Sequence, residues 1–160
     1  MDMQRVRKAE FEDMKTAADI MVRSFRAAFS AFVSEETMAA CTNDENCRRM
    51  MEGIYTAGKM RILLGETGGM LVWQEADRDS AEIVAIHSVP ESWGTGLGAA
   101  MLETALEEMR AAGKKRVWLW AFEENHRARR FYEKHGFRWD GARRVSEFDG
   151  AMEVRYGKEL

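Results

Sequence analysis

The sequence predicts an α/β fold of the α+β type: a mixed, mostly antiparallel sheet with one central parallel strand, helix, strand unit and helices on both faces. Three stretches predict it. Residues 82–122 read as an apolar strand, a glycine-rich turn, an amphipathic helix and a second apolar strand, the order that sets two parallel strands in one sheet. Apolar runs broken by short Gly-containing turns lie on either side, at 60–74 and 137–156, and read as hairpins. A long amphipathic helical stripe precedes them in residues 13–32.

The elements follow in order. Met3 to Lys8 alternates Met3, Arg5 and Arg7 against Gln4, Val6 and Lys8, a pattern for an edge strand with basic residues on its solvated side. From Asp13 to Phe32, Met14, Ala17, Ala18, Met21, Val22, Phe25, Ala28, Phe29 and Phe32 fall on one helical stripe, with a break near Ser30. Ser34 followed by Glu35 and Glu36 starts a second helix, although Thr37 stands where a capping box needs Glu or Gln. A third helix runs from about Asp44 to Ala57 and ends at Gly58. Met60 to Gly65 and Gly69 to Gln74 form the first hairpin through Glu66-Thr67-Gly68. Ala76 to Ser80 is a charged turn into the central strand, whose unbroken apolar segment Ile83 to Ile86 is expected to be covered on both faces. Pro90 cannot donate to a ladder, so pairing ends there. The helix from Gly96 to Ala112 turns Met101, Leu102, Ala105, Leu106 and Met109 inward and stops at Gly113, and Val117 to Phe122 supplies the next strand, with Trp118 and Trp120 expected in the core. Asn125 is an N-cap for a short helix through His135, ended by Gly136. Strands near Phe137 to Val145 and Ala151 to Tyr156, joined by Phe148-Asp149-Gly150, finish the sheet.

A chain of 160 residues with 46% hydrophobic and 32% charged residues is one domain's worth of core, and one proline and no repeat leave no linker. Lys plus Arg number 24 against 27 Asp plus Glu, and the net charge of -3 lacks the basic excess of a nucleic-acid binder. Cys41 and Cys47 have no histidine at metal-ligand spacing, so no metal site is expected and both read as reduced thiols. No apolar run has signal-peptide or membrane-spanning character, which points to a cytoplasmic protein without a membrane partner.

Chemistry concentrates in Glu82 to Ala100. Gly94, Gly96 and Gly98 let successive amides converge on one anion, and the helix that follows adds unpaired N–H groups and the positive end of its dipole. A phosphate-bearing ligand suits this turn, although tight strand-to-helix connections also use glycine for geometry alone. The turn lacks the Gly-Lys-Ser ending of a phosphate loop, and Ala99 stands where a dinucleotide fingerprint needs glycine.

Trp93-Gly94-Thr95-Gly96-Leu97-Gly98 resembles the central motif of the GNAT superfamily of N-acetyltransferases, with Trp93 replacing the usual Gln or Arg. Leu119 to Phe137, with Asn125, Phe131-Tyr132 and Gly136-Phe137, is similar to that family's second signature. The resemblance spans nearly the whole chain and implies a GNAT-like fold and acetyl-CoA as acetyl donor. It implies that the backbone of Ile86 and Ser88 pairs with the pantetheine arm, that Trp93 to Ala99 (Trp93, Gly94, Thr95, Gly96, Leu97, Gly98, Ala99) holds the pyrophosphate, that Asn125 contacts the cofactor and that Tyr132 protonates the leaving thiolate. Glu82 is the first choice of base, with His87 the alternative, and each also reads as an ordinary sheet residue. Tyr132 reads equally as a core aromatic, and Arg127, Arg129 and Arg130 as a solvated face from which one could meet a phosphate. The function implied is transfer of acetyl to a primary amine of a small molecule or peptide, and homodimers are common on this fold. The alternative is a catalytically silent acyl-CoA binding or sensing domain. Acceptor-choosing residues are expected in Asp13 to Ala57, in Glu75 to Ala81 and near Phe148.

Overall fold

Helix caps fix the front of the chain. The computed structural model describes residues 5–160; Met3 and Gln4, at the start of the expected edge strand, lie outside the described residues. Strand β1 is Val6–Lys8, and a single 3-10 turn leads into α1, Met14–Phe29. The helix stops at Phe29, short of the expected Phe32, because the amides of Phe32 and Val33 turn back onto the Phe29 carbonyl. Ser34 and Asn43 accept from the amides of Thr37 and Asn46 and so open α2, Glu35–Cys41, and α3, Asp44–Ala57. Gly58, left-handed at φ 67°, closes α3.

Strands β2 (Met60–Gly65), β3 (Gly69–Glu75), β4 (Ser80–Ser88), β5 (Arg116–Phe122), β6 (Arg138–Val145) and β7 (Met152–Glu159) alternate with α4 (Leu97–Ala111) and α5 (His126–Lys134). The sheet has seven strands in the order β1-β2-β3-β4-β5-β7-β6, so the last strand inserts beside β5. Among the described residues only β4 and β5 pair in parallel. Two cores form, one on each face. Leu97, Met101, Leu102, Ala105, Leu106 and Met109 of α4 pack with Tyr132 and Phe137 over Leu71, Trp73, Leu119 and Tyr156. Met14, Ala17, Ala18 and Met51 of α1 and α3 pack over Ile62, Leu64, Met70 and Val72 on the other face.

Two expectations for this region change. Val72 opposes Ala85 while Trp73 opposes Ile83, which leaves Val84 as an extra residue in β4. This bulge explains why Ile83 and Ile86, three apart, both reach the α4 core, since an unbroken strand would send them to opposite faces. Val84 itself is 45% exposed, so Ile83 to Ile86 is not covered on both faces. Trp118 and Trp120 are half-buried rather than in the core. No β5 residue joins the core under α1 and α3, and the guanidinium groups of Arg155 and Arg144 cover the indoles instead, Arg144 at 4.1 Å from Trp120.

Candidate active site

Strands β4 and β5 pair from Ser80↔Arg116 to Ile83↔Leu119 and then separate. Beyond that point β5 continues to pair with β7 through Phe122, while β4, bent by its bulge, follows β3 to Ser88. The wedge between them opens a cleft of about 910 Å³. Its walls include Glu82, Ile86, His87, Ser88, Trp93, Gly94, Gly96, Leu97, Gly98, Ala99, Asn125 and Tyr132, so the fold brings together every site residue expected from sequence except Thr95. Thr95 is exposed and its hydroxyl donates to the Ser92 carbonyl at 2.6 Å. The Val89 amide donates to Gly68 across the β3 side, so alternation along β4 turns the backbone groups of Ile86 and Ser88 toward the open wedge.

One end of the cleft is suited to an anion. Gly94 and Gly96 hold φ of 75° and 88°, and a Cβ at either would meet nothing within 4 Å, so they are glycine for backbone conformation. Gly98 is different: a Cβ there would lie 3.3 Å from the Phe131 ring, so it sets the approach of α4 to α5. The α4 N-terminus has no side-chain cap, which leaves first-turn amides for a ligand at the positive end of the dipole. Trp93 donates its indole N–H to the Ser88 carbonyl at 3.0 Å and carries the Arg127 guanidinium 3.7 Å above its ring. Arg127 makes no ion pair among the described residues, and burial lowers its pKa from the usual value. Arg129, expected on a solvated face, instead donates to the Tyr156 hydroxyl at 2.9 Å and the Glu123 carbonyl at 2.8 Å. His135, at the end of α5, packs 4.7 Å from the Phe131 ring.

The middle of the cleft holds the titratable groups. Asn125 caps α5 by accepting from the Ala128 amide at 3.2 Å, which fixes the helix that presents Tyr132. Tyr132 is 6% exposed among Phe131, Phe137 and Tyr156. Its hydroxyl has no hydrogen-bond partner among the described residues, and burial pushes the phenol well above its ordinary range, so it stays protonated. The Glu82 carboxylate accepts from Gln74 Nε2 at 3.0 Å and from Trp118 Nε1 at 3.1 Å. His87 Nδ1 lies 3.0 Å from Ser24 Oγ, and burial pushes the imidazole down to about 4.

At the far end Phe25 and Phe29 of α1 meet Phe148 and Phe122, and Met21, Cys41 and Met50 of the front helices also line the cleft. Residues 75–81 do not line the cleft; they sit at the opposite end of β4, where Lys114 Nζ donates to the Asp77 carbonyl. Asp149, left-handed at φ 56°, accepts from the Ser34 amide and the Thr37 hydroxyl, which ties the β6–β7 turn to α2. Sequence reading missed the Trp93–Arg127 stack, the Ser24–His87 pair and the Asp149 tie. Each joins residues far apart in the chain, and only the turn at Phe148-Asp149-Gly150 was visible beforehand.

The sequence profile of the Acetyltransferase (GNAT) family matches residues 15–137. An uncharacterized N-acetyltransferase of Mycobacterium tuberculosis is 29% identical over 136 residues, covering 82% of this chain and 86% of that protein. A mycothiol acetyltransferase of Beutenbergia cavernae is 32% identical over 111 residues, which is 67% of this chain and 37% of that protein. The crystal structure of PaiA N-acetyltransferase from Thermoplasma acidophilum in complex with coenzyme A aligns with a TM-score of 0.81 at 17% identity, over 99% of this chain and 100% of that one. The profile match runs unbroken from the front helices through the splayed strands and the glycine turn to Tyr132, and on that ground the chain belongs to the GNAT acetyltransferase family.

Proposed function

We propose that residues 1–160 form one acetyltransferase domain that transfers the acetyl group of acetyl-CoA directly to a primary amine of a small molecule or peptide. Acetyl-CoA is the donor cosubstrate, and it supplies a thioester carbonyl open to attack. The observation that carries the reading is the wedge itself: uncapped α4 amides at one end and an unpartnered, protonated Tyr132 in the middle.

That geometry and the family resemblance support the following residue roles. The Trp93 to Ala99 turn and the α4 amides hold the pyrophosphate, and Arg127, stacked on Trp93, adds the N–H donors that the usual Gln or Arg would bring. Ile86 and Ser88 offer backbone groups to the pantetheine arm as a neighbouring strand would, and Asn125 keeps α5 in place against it. Glu82 accepts the proton of the incoming ammonium, with His87 the second candidate, so that the amine attacks with a free lone pair. As the N–C bond forms and the C–S bond breaks, Tyr132 gives its proton to the departing sulfur, and the surplus proton of the acylated nitrogen restores the phenol.

The test measures free CoA thiol released with a panel of primary amines, beside the thermal shift caused by acetyl-CoA alone. Turnover with at least one amine is expected. A shift without turnover on any amine would assign the chain to acyl-CoA binding or sensing instead. Tyr132→Phe is expected to lower kcat by about 100-fold or more, the range for a lost general acid, with the acetyl-CoA thermal shift retained. Undiminished turnover would remove Tyr132 from the acid role.

A further inference from the structure

Five phenylalanines from separate parts of the chain converge at the end of the cleft away from the glycine turn. Phe25 and Phe29 come from α1, Phe32 from the turn after it, Phe122 from the tip of β5 and Phe148 from the β6–β7 turn. Ring centroids lie 4.7 Å apart for Phe25 and Phe29, 5.0 Å for Phe29 and Phe122, 5.7 Å for Phe25 and Phe148 and 6.1 Å for Phe122 and Phe148, all edge to face. None of the five belongs to either core. Phe25, Phe29, Phe122 and Phe148 line the same continuous cleft as Glu82 and Tyr132, and Phe29 and Phe148 are only half-buried. Rings that pack a core interior would be shut in; these four border open space.

The charges in this chamber are few. Glu153 pairs with Arg144 at 3.0 Å, and Arg144 also covers Trp120. Glu82, in the middle of the same cleft, has only the neutral donors Gln74 and Trp118, so it is the one wall carboxylate without a cationic partner among the described residues. One unmatched negative charge in a cleft whose far end is lined by rings suits a single ammonium on an apolar, flat body. A polyamine would need further unpaired carboxylates along its length, where the cleft wall offers Glu82 alone among the described residues. The chamber is also held ready. Asp149 ties its turn to Ser34 and Thr37, and Ser146 Oγ accepts from the Phe148 amide at 2.9 Å, which fixes the backbone of the turn that carries the ring.

We infer that the acceptor is a small primary amine on an aromatic body, of the arylalkylamine class, with Phe148 and Phe29 as specificity-determining residues. The inference rests on the amine-transfer reading above and narrows it. The experiment compares kcat/KM for 2-phenylethylamine and tryptamine with that for spermidine, cadaverine and glucosamine at saturating acetyl-CoA. The aryl amines are expected to lead by about 100-fold or more. Phe148→Leu, which keeps apolar volume in an exposed turn, and Phe148→Ala are each expected to raise KM for 2-phenylethylamine by about tenfold or more while KM for acetyl-CoA stays within about twofold. Equal or greater kcat/KM for spermidine, cadaverine or glucosamine would overturn the aromatic acceptor while leaving amine transfer standing. A rise in both KM values together would overturn the specificity role of Phe148. No turnover with any amine, with the acetyl-CoA thermal shift intact, would overturn amine transfer and the inference with it.

Discussion

Arg127 shows how a single side chain can be visible in the sequence and its role invisible. Trp93 stands out there as a departure from the motif, and the run Arg127, Arg129, Arg130 stands out as charge, but nothing along the chain relates the two. In the fold the Arg127 guanidinium lies 3.7 Å from the Trp93 ring at the cleft edge, partly desolvated and without a carboxylate. A cation in that state gains most from a phosphate, since a charge-assisted hydrogen bond contributes about 1.5–3 kcal/mol. Arg127→Ala is therefore expected to raise KM for acetyl-CoA by about tenfold or more and to leave KM for S-acetylpantetheine, which has no phosphate, unchanged. Steady-state kinetics with the two donors checks it, and equal effects on both would assign Arg127 to packing. Asn125 and Tyr132 were legible for a simpler reason, because a cap and a buried aromatic on a short helix are local features. Glu82 was legible as a carboxylate opening the central strand, but its restraint by Gln74 and Trp118 depends on cross-strand pairing that residue order does not state.

Elements were read more fully than their irregularities. The bounds of α3 and of β2 follow from periodicity, caps and turn glycines, whereas the β4 bulge is hidden because Ile83, Val84, Ala85 and Ile86 are all apolar and show no parity to break. That bulge creates the wedge, so the feature that makes the site was the one the sequence could not display. The glycine turn separates backbone demands from spatial ones. Gly96 caps α4 in the left-handed region with open space around it, so Gly96→Ala is expected to cost about 1–2 kcal/mol from conformation alone. It should also weaken CoA binding by disturbing the first-turn amides. Gly53 lies exposed inside α3 with nothing within 4 Å and no positive φ, so Gly53→Ala should stabilise by about 0.5–1 kcal/mol without touching CoA binding. Urea denaturation of both variants, with a CoA titration beside it, measures the contrast, and a stabilised Gly96→Ala would refute the assigned role of its conformation.

At the scale of the molecule, the two cores share one sheet, and the cleft is the place where that sheet is not closed. The β1 to β4 half is covered by α1 and α3 on one face and α4 on the other, while β5, β7 and β6 carry α5 on a single face. Between the halves, β4 and β5 share only the pairs from Ser80 to Ile83, so the remainder of both strands lacks a partner across the wedge. A ligand that bonds to the Ile86 and Ser88 backbone, the α4 amides and Arg127 at once supplies the missing connection between the halves and binds only the folded state. Linkage then sets the size of the effect: at about 100 times its Kd a ligand stabilises by about 2.7 kcal/mol, which for a chain of this size is a rise in Tm of roughly 5–10 °C. Free CoA is expected to give most of that shift, because the contacts invoked lie on the pyrophosphate and pantetheine rather than on the acetyl group. Pantetheine alone, tested at the same concentration, should give a much smaller one. Thermal melts with CoA, acetyl-CoA and pantetheine decide the matter, and equal shifts for pantetheine and CoA would mean that the glycine turn is a connection between strand and helix and not a phosphate site.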